Sequence, residues 1–486
     1  MTRMRVLLFG LLGAIAASSC TLGPDYRPAA LPKGAEAPTP SADAAVESTE
    51  APPDQWWHLY DDPALDALVQ QAFAANTDLR EAEANLGGAR ALLEGARAGM
   101  YPSTTTEVGA IRGRDPTTNE ILGFTGHRSQ TVWLYDATLD ASYEVDLFGR
   151  VRRTIEASRA EAESAAAVRD TVKIEVAAET ARAYAQICAL GEQIEVTHHS
   201  LDVVGKQLDI TTRQRDAGAG TDFDVVRQQN LVSQVRATLP PLEGQRRAAL
   251  AQLAVLVGKT PAEAPTEVLR CVLPPRLKSL VPIGDGTEML KRRPDIREAD
   301  RQFAAATARI GAAKADLYPT ISFQGFYGGA NVQPNSVQLG KLGTGNGLAW
   351  GIGPSISWSF PNMAAPLARV HQANANQAAA LANFDSVVLA ALRETEQSLA
   401  TYGSELQRHQ ALTDAQDQAH RAYQLAQGQL DAGAVSPLDL LSSENTMVSA
   451  DAAMAGSDAT VIQDQIAVFK ALGGGWEPQN PEVGQK

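Results

Sequence analysis

Cys20 is the residue whose position most clearly predicts covalent chemistry. Two arginines precede an apolar run from Val6 to Ala17, and two serines then lead to the cysteine. A charged start, an apolar run and small residues in this order are typical of a secretory signal. The run has 12 residues, whereas a helix needs about 20 to span a bilayer. Cleavage before Cys20 would place its thiol on the first residue of the mature chain, where a lipid can be attached.

The residues before Cys20 resemble a bacterial lipobox, although Ala17 stands where that pattern prefers leucine. An ordinary signal followed by an incidental cysteine is the alternative. In lipoproteins generally, a residue such as Thr21 in place of an aspartate permits transfer to the outer membrane. We therefore expect a signal peptide over residues 1–19 and a lipidated N-terminal tether over residues 20–55. The tether is rich in Pro, Ala, Ser and Glu and lacks apolar periodicity, as extended linkers do.

No other residues form a catalytic or metal-binding pattern. His198 and His199 are adjacent and would diverge on a helix, and the remaining histidines lack ligand spacing: His58, His127, His371, His409 and His420. The sequence contains neither a phosphate-binding loop nor a nucleophile elbow. We predict no enzyme activity, no cofactor and no metal. A lipid-anchored hydrolase is the enzyme alternative.

The amino-acid composition limits the kinds of molecule that the protein can bind. The net charge of −14 and the pI of about 5.1 argue against nucleic acid, which favours basic surfaces. An acidic surface or an acidic lumen is the expected alternative. Cys188 lies in a helical pattern and Cys271 in a proline-rich connection. In an oxidising compartment the two could pair, but two cysteines define no disulfide framework, so both states stay open.

The two halves of the chain are copies of each other. The segment from Asp78 to Ala82 recurs 217 positions later from Asp295 to Ala299, and the Tyr-Pro pair at 101 recurs at 318. The Asp-Ala-Gly-Ala segment at 216 recurs at 431, an offset of 215. Such constant offsets indicate a duplicated unit of more than 200 residues. We expect repeat 1 over 56–258, a connector over 259–286, repeat 2 over 287–475 and a C-terminal tail over 476–486.

Long heptad patterns predict helices that pack side by side in coiled-coil fashion. Alternating steps of three and four connect mostly apolar positions in each half: Ile187, Leu190, Ile194, Thr197, Leu201, Val204, Leu208 and Thr211, then Leu438, Leu441, Asn445, Val448, Ala452, Ala455, Ala459, Ile462, Ile466 and Phe469. A helix from Arg152 to Asp216 would be roughly 100 Å long. An ordinary soluble bundle is the alternative. Pro240 and Pro241 should kink or break their helix.

Each half also contains a segment with strand periodicity. Between Gln130 and Leu147, aromatic and aliphatic residues alternate with polar residues that include four carboxylates. The segment from Trp350 to Phe360 alternates in the same way, and partner strands precede both segments. Period two places alternate residues on opposite faces. We expect strands within about 102–148 and 319–361, which makes two hairpins and four strands.

Four such strands cannot pair all of their backbone hydrogen-bonding groups in a membrane. Strands with aromatics on one face and polar groups on the other are typical of transmembrane barrels. Single-chain barrels need about eight strands, and an open edge in lipid leaves backbone groups without partners. The pattern therefore predicts that several chains join. A soluble sandwich of the two hairpins is the alternative.

With these features the chain resembles the TolC-type outer-membrane factors, in the lipoprotein, NodT-like branch that serves RND efflux pumps. The resemblance covers nearly the whole mature chain and depends on five motifs: Gly23-Pro24-Asp25-Tyr26 after Cys20, Trp56-Trp57 with Asp61-Asp62-Pro63, Tyr143 to Arg150, Arg292 to Arg297, and Ala471 to Trp476.

The resemblance implies a fold of α plus transmembrane β class with an internal two-fold repeat. Long coiled-coil helices would form an α-barrel, and four β-strands per chain would contribute to a trimeric 12-stranded outer-membrane barrel. It implies a passive duct in the Gram-negative outer membrane, anchored by lipid and extending into the periplasm. The implied partners are two further copies, a periplasmic adaptor and an inner-membrane transporter. A lipid-anchored coiled-coil tether or secretion scaffold without a pore is the alternative.

Two tight helical hairpins, at about 216–222 and 431–437, are predicted from the residues themselves. Gly218 and Gly433 follow long helices and permit a left-handed C-terminal cap. Thr221 and Ser436 can cap the next helices, and a proline suits the first turn of the second.

The resemblance assigns roles to these hairpins. It makes them the periplasmic tips that contact the adaptor: Gly218, Ala219, Thr221, Gly433, Ala434 and Ser436. It matches Asp439 to an acidic ring at a closed entrance, with Asp224 as the first-repeat counterpart at the same offset of 215. Ser442 stands where some relatives have a second acid. A solvated first-turn carboxylate is the alternative for both aspartates.

Overall fold

The computed structural model describes residues 21–35, 47–48, 50, 52–113, 131–277, 281–284, 286–333 and 348–474. The predicted signal peptide, Cys20 and the predicted tail lie outside the described residues. The chain divides into two compact units. Unit 1 comprises residues 1–29, 87–164 and 300–383, and unit 2 comprises residues 30–86, 165–299 and 384–486.

Matching helices follow one another in the two halves. The first half has α1 Pro63–Ala75, α2 Thr77–Ala98, α3 Arg150–Asp216 and α4 Asp222–Leu256. The second half has α5 Gly286–Arg292, α6 Pro294–Ala315, α7 Ala364–Asp431 and α8 Pro437–Ala471. The counterparts α2 and α6 both have 22 residues, α4 and α8 both have 35, and α3 and α7 have 67 and 68. The duplicated sequence therefore folds as a duplicated structure.

Unit 1 contains a four-stranded antiparallel sheet. Its strands are β1 Ser103–Gly113, β2 Val132–Val145, β3 Thr320–Gln333 and β4 Leu348–Ser357, and they lie in the order β1-β2-β3-β4. Each half of the chain contributes one hairpin, and β2 pairs with β3 to join them. The predicted two hairpins are confirmed, and β1 and β4 are left as the two edges of the sheet.

The core of unit 2 forms around aromatic residues before α1. Trp56 and Trp57 lie in a short 3-10 helix and are almost completely buried. Trp56 stacks on Phe469 of α8 with ring centroids 4.9 Å apart. A disulfide joins Cys188 of α3 to Cys271 of the connector, which resolves the pairing that the sequence left open.

The predicted heptad of α3 agrees with the structure, but that of α8 is wrong in its first half. Next to the tip, the buried positions of α8 are Leu440, Glu444, Met447 and Asp451. Each of these lies one residue before a position of the predicted seam. The apolar pattern misled because two of the buried positions carry carboxylates. No helix in the described part of the chain combines the length and the apolar character needed to cross a bilayer.

Of the kink or break expected at Pro240 and Pro241, the break does not occur, because α4 continues through both residues. Most residues around them are exposed. Carbonyl groups that lose an amide partner to proline can therefore be hydrated. The Thr238 hydroxyl also donates to the Val235 carbonyl at 2.8 Å, so the local backbone gains a side-chain bond.

Candidate functional site

The first tip is a tight turn between α3 and α4. Gly218 has a φ of +76°, a left-handed conformation that glycine adopts without the steric penalty of a side chain. The Ala219 amide donates back to the Gln214 carbonyl at 2.8 Å, so the turn satisfies a carbonyl at the end of α3. This geometry fixes where α4 begins.

Thr221 and Asp224 then start α4 through reciprocal hydrogen bonds. The Asp224 amide donates to Thr221 Oγ1 at 3.2 Å. Asp224 Oδ2 accepts from the Thr221 amide at 3.1 Å and from the Thr221 hydroxyl at 2.6 Å. This is a capping box, which satisfies amides that the first helical turn leaves open. The predicted cap is present, and the Asp224 carboxylate takes part in it.

The second tip repeats this construction. Gly433 has a φ of +70°, and the Ala434 amide donates to the Gln429 carbonyl at 2.8 Å. Asp439 Oδ2 accepts from the Ser436 amide at 2.9 Å and from the Ser436 hydroxyl at 2.6 Å. These bonds lower the pKa of the exposed Asp439 carboxyl, the hydroxyl of Ser436 being the larger cause. Asp439 is therefore an exposed anion whose orientation is fixed by the cap.

The two tips lie close together in unit 2. Asp224, Arg227 and Gln228 of α4 line one narrow crevice with Pro437 and Leu438 of α8. The N-termini of α4 and α8 therefore lie next to each other. Asp224 and Asp439 each bond to the cap residue of their own helix, as described above.

Sequence reasoning missed two exposed apolar residues at the tips. Phe223 of α4 is 67% exposed and Leu438 of α8 is 48% exposed. They are 215 positions apart, the same offset that relates the two glycines. The Arg227 guanidinium lies 5.4 Å from the centre of the Phe223 ring. The repeat offset was the signal that could have identified this pair.

The sheet of unit 1 has one apolar face that its own chain leaves exposed. Leu139, Tyr327 and Trp350 are directly opposite one another on β2, β3 and β4. They are 48%, 57% and 71% exposed. Such a row of large apolar side chains is unfavourable in water and suited to contact with lipid.

The other face carries the acidic residues that the alternation predicted. Asp136 and Asp140 belong to it, and the Thr138 hydroxyl donates to Asp140 Oδ2 at 3.0 Å. The two carboxylates closest to α3 have structural partners. Glu144 forms an ion pair with Arg150, and Asp146 accepts from the Arg152 amide at 3.0 Å.

Residues 21–26 dock on unit 1 through specific bonds that the sequence did not reveal. The Leu22 amide donates to the Phe148 carbonyl at 3.2 Å, just beyond the end of β2. Arg153, with only 4% of its side chain exposed, donates to the Leu22 carbonyl and to Asp25. A Cβ on Gly23 would lie 2.4 Å from the Gly311 Cα, so the backbones touch there.

Tyr26 completes this docking. Its hydroxyl lies 2.6 Å from Asp300 Oδ1 and accepts from Arg301 at 2.8 Å. Its ring packs edge-on against Phe303 with centroids 6.1 Å apart. Burial and the Asp300 carboxylate raise the pKa of the phenol, so Tyr26 stays protonated.

Comparisons with known proteins agree with this arrangement. The family described as outer membrane efflux protein matches residues 68–259 and 287–474. The probable efflux pump outer membrane protein TtgC of Pseudomonas putida is 30% identical, over 97% of this chain and 96% of its own. The pyoverdine export outer membrane protein OpmQ of Pseudomonas aeruginosa is 29% identical, over 94% and 95%.

Solved structures are similar over almost the same extent. The outer-membrane channel OprN is 33% identical with a TM-score of 0.82, covering 94% of this chain and 100% of its own. The open state of the MtrE outer-membrane channel of Neisseria gonorrhoeae is 26% identical with a TM-score of 0.79, covering 94% and 98%. The chain therefore belongs to the outer membrane efflux protein family, and it is an outer-membrane channel for efflux.

Proposed function

We propose that three copies of this chain form one passive duct, whose twelve strands close a single barrel in the outer membrane. The observation that carries this proposal is the four-stranded sheet with two open edges and an exposed apolar face. In lipid, unpaired edge amides and carbonyls cost several kcal/mol each. Pairing β1 of one copy with β4 of the next removes every edge. The family resemblance supports three as the number of copies.

Charged substitutions on opposite faces of β4 test the barrel. Ile352 is 81% exposed on the apolar face, and a Cβ on the adjacent Gly353 meets open space. In a barrel, Ile352→Arg faces lipid and should cost about 2–4 kcal/mol per chain near the bilayer midplane. Gly353→Arg, the matched control, faces the lumen and should still insert.

The measurements are the amount of trimer in outer-membrane fractions and the conductance in planar bilayers. We expect Ile352→Arg to abolish both and Gly353→Arg to retain the trimer. Equal tolerance of both substitutions, together with a monomeric mass and no conductance, would favour a tether without a pore.

We propose that Cys20 carries the lipid anchor, in agreement with the docking of the residues that follow it. Leu22 is bonded beside the end of β2, where Phe148 stacks on Tyr318 with ring centroids 4.7 Å apart. Aromatic residues commonly mark the boundary of a barrel with the membrane. Lipid attached two residues before Leu22 would thus enter the bilayer at this boundary. The mass of the mature N-terminal peptide, compared between the wild type and Cys20→Ser, tests for the acyl groups.

We further propose that the two tips contact a periplasmic adaptor that connects the duct to an inner-membrane transporter. The transporter would supply the energy, since a passive duct requires no catalysis in this chain. The exposed Phe223 and Leu438 support this assignment, because they offer apolar contact area where the tips end. Crosslinking of cysteines placed at Ala219 and Ala434 to the adaptor in whole cells is the direct test.

Asp439 is proposed as part of the periplasmic gate, with Asp224 as its counterpart. Three copies of an exposed carboxylate around a narrow axis would repel one another unless a cation lay between them, and a cation bound there would block the entrance. Asp439→Asn removes this cation site and should therefore raise the conductance of the closed duct and weaken block by cations. Ser436→Ala is the control, because it removes the cap hydroxyl but keeps the charge. An equal rise in both variants would assign the effect to the helix cap.

A further inference from the structure

The same heptad position of α8 carries a polar residue in four successive heptads. Glu444, Asp451, Asp458 and Gln465 are seven residues apart, and all four are buried. Polar residues at buried heptad positions reduce stability and fix how helices pair. Their partners therefore determine what holds α8 in place.

Three of these residues have polar partners on α7. Asp451 lies 2.6 Å from His420 Nε2, and Asp458 lies 3.0 Å from His409 Nε2. Gln465 donates to the Tyr402 hydroxyl at 3.2 Å. These contacts connect α8 mainly to α7, the other helix of the same hairpin.

Glu444 differs because its bond leads to the other hairpin. Its side chain is fully buried, and its Oε2 accepts from the Gln228 amide of α4 at 2.9 Å. The same amide lies 3.3 Å from the Val204 carbonyl of α3. The second oxygen, Oε1, is buried without a hydrogen-bond partner. One carboxyl group thus links the hairpin α3–α4 to the hairpin α7–α8.

The groups around Glu444 are almost all uncharged. The described side chains of the three-helix cluster next to it are apolar: Val204, Leu231, Val232 and Val235, with Leu201, Leu208, Leu441 and Val448. From α7 the phenol of Tyr423 interacts with the carboxyl group. On α4, the cationic residue nearest in sequence to Gln228 is Arg227, whose guanidinium lies over the Phe223 ring. Burial raises the pKa of Glu444, and the Gln228 bond only partly opposes this rise.

We propose that Glu444 is a proton-controlled latch that joins the two hairpins two turns above their tips. The neutral acid keeps its bond to Gln228 at little electrostatic cost. The ionised carboxylate needs water, which it obtains only when α8 separates from α4. Acid therefore favours joined hairpins, and a rise in pH favours separated ones. This inference rests on the proposed gate, because separation at this level frees the tips to move.

The sign and the size of the effect follow from linkage. The joined state holds the proton more tightly than the separated state, in which a glutamate has an ordinary pKa of about 4.3. Between the two pKa values, each unit of rising pH lowers the ratio of joined to separated hairpins by up to tenfold.

The test is the conductance of purified trimers in planar bilayers from pH 5 to pH 8. We expect the open fraction of the wild type to rise with pH, and that of Glu444→Gln to stay low throughout. His420→Gln and His409→Gln are matched controls, which remove the histidine partners of Asp451 and Asp458 and should retain the rise. A rise that is kept in Glu444→Gln, or one that is lost in either histidine variant, would overturn the latch.

Amide hydrogen exchange provides a second readout that needs no open pore. We expect the first turns of α8 to exchange faster at pH 8 than at pH 6 in the wild type, after correction for the intrinsic rate. Gln228→Leu should accelerate exchange at both values, because Glu444 then loses its partner. A wild-type channel that conducts but exchanges equally at both pH values refutes the latch alone. If the protein shows pH-dependent exchange but no conductance at all, the proposed duct is refuted instead.

Discussion

The disulfide between Cys188 and Cys271 should contribute several kcal/mol to the stability of unit 2. The two cysteines are 83 positions apart, and the loop that they close contains the first tip and all of α4. In the chain-entropy account, closing a loop of this length destabilises the unfolded chain by about 4–5 kcal/mol, and measured values are typically about 2–4 kcal/mol. We therefore expect Cys188→Ala with Cys271→Ala to lower the free energy of unfolding by about 3 kcal/mol.

The native structure around the disulfide should persist without it. The Arg246 guanidinium donates to the carbonyl groups of Ile187, Leu269 and Cys271 at 3.1, 2.8 and 2.6 Å. These bonds hold the connector against α3 independently of the sulfur atoms. The loss should therefore appear in unfolding and leave conductance unchanged.

Thermal unfolding of the detergent-solubilised protein, followed by circular dichroism, measures the effect. A loss of 3 kcal/mol should lower the midpoint by roughly 5 °C for a unit of this size. Reductant should lower the wild-type midpoint to that of the double variant and should not change the variant itself. Identical midpoints of the two proteins without reductant would refute the reasoning.

Three further predictions concern single sites. Gly433→Ala should cost about 1–2 kcal/mol, because its φ of +70° is unfavourable for a side chain. Gly428→Ala in the helix before it should be neutral or stabilising, and equal unfolding midpoints for the two variants would contradict this. Burial raises the pKa of Glu192 to about 7, so its neutral form favours folding and this contribution is lost as pH rises from about 5 through 7. Glu192→Gln should flatten the dependence of the unfolding midpoint on pH, and an unchanged slope would exclude it as the cause. Arg153→Met removes the bonds to Leu22 and Asp25 and should expose residues 21–26 to proteases. Limited proteolysis with mass spectrometry measures this, with Arg152→Met as the control.

The repeat explains why so much of the fold could be predicted. The offset of 215 related the two tips, the offset of 217 related the segments that begin at Asp78 and Asp295, and period-two alternation identified both β-hairpins. These features depend on local patterns, in which a glycine, a cap residue or an alternating face has one dominant physical meaning. The capping role of Asp224 and Asp439 follows from the same local chemistry.

The missed features depend on contacts between distant residues. Glu444 breaks the apolar pattern of α8, and its burial becomes understandable only with Gln228 beside it. The docking of Tyr26 likewise requires Asp300, which is 274 positions away. Periodicity indicates which face of a helix or strand is buried, but it does not indicate which polar group of another element will contact that face.

The docked N-terminal segment also determines an order of events during synthesis. Residues 21–26 emerge first, yet their partners include Asp300 and Gly311 in the second half of the chain. They can assume their final position only after more than 300 residues have been translated. Throughout that interval the residues next to the proposed acylation point have not yet docked on unit 1.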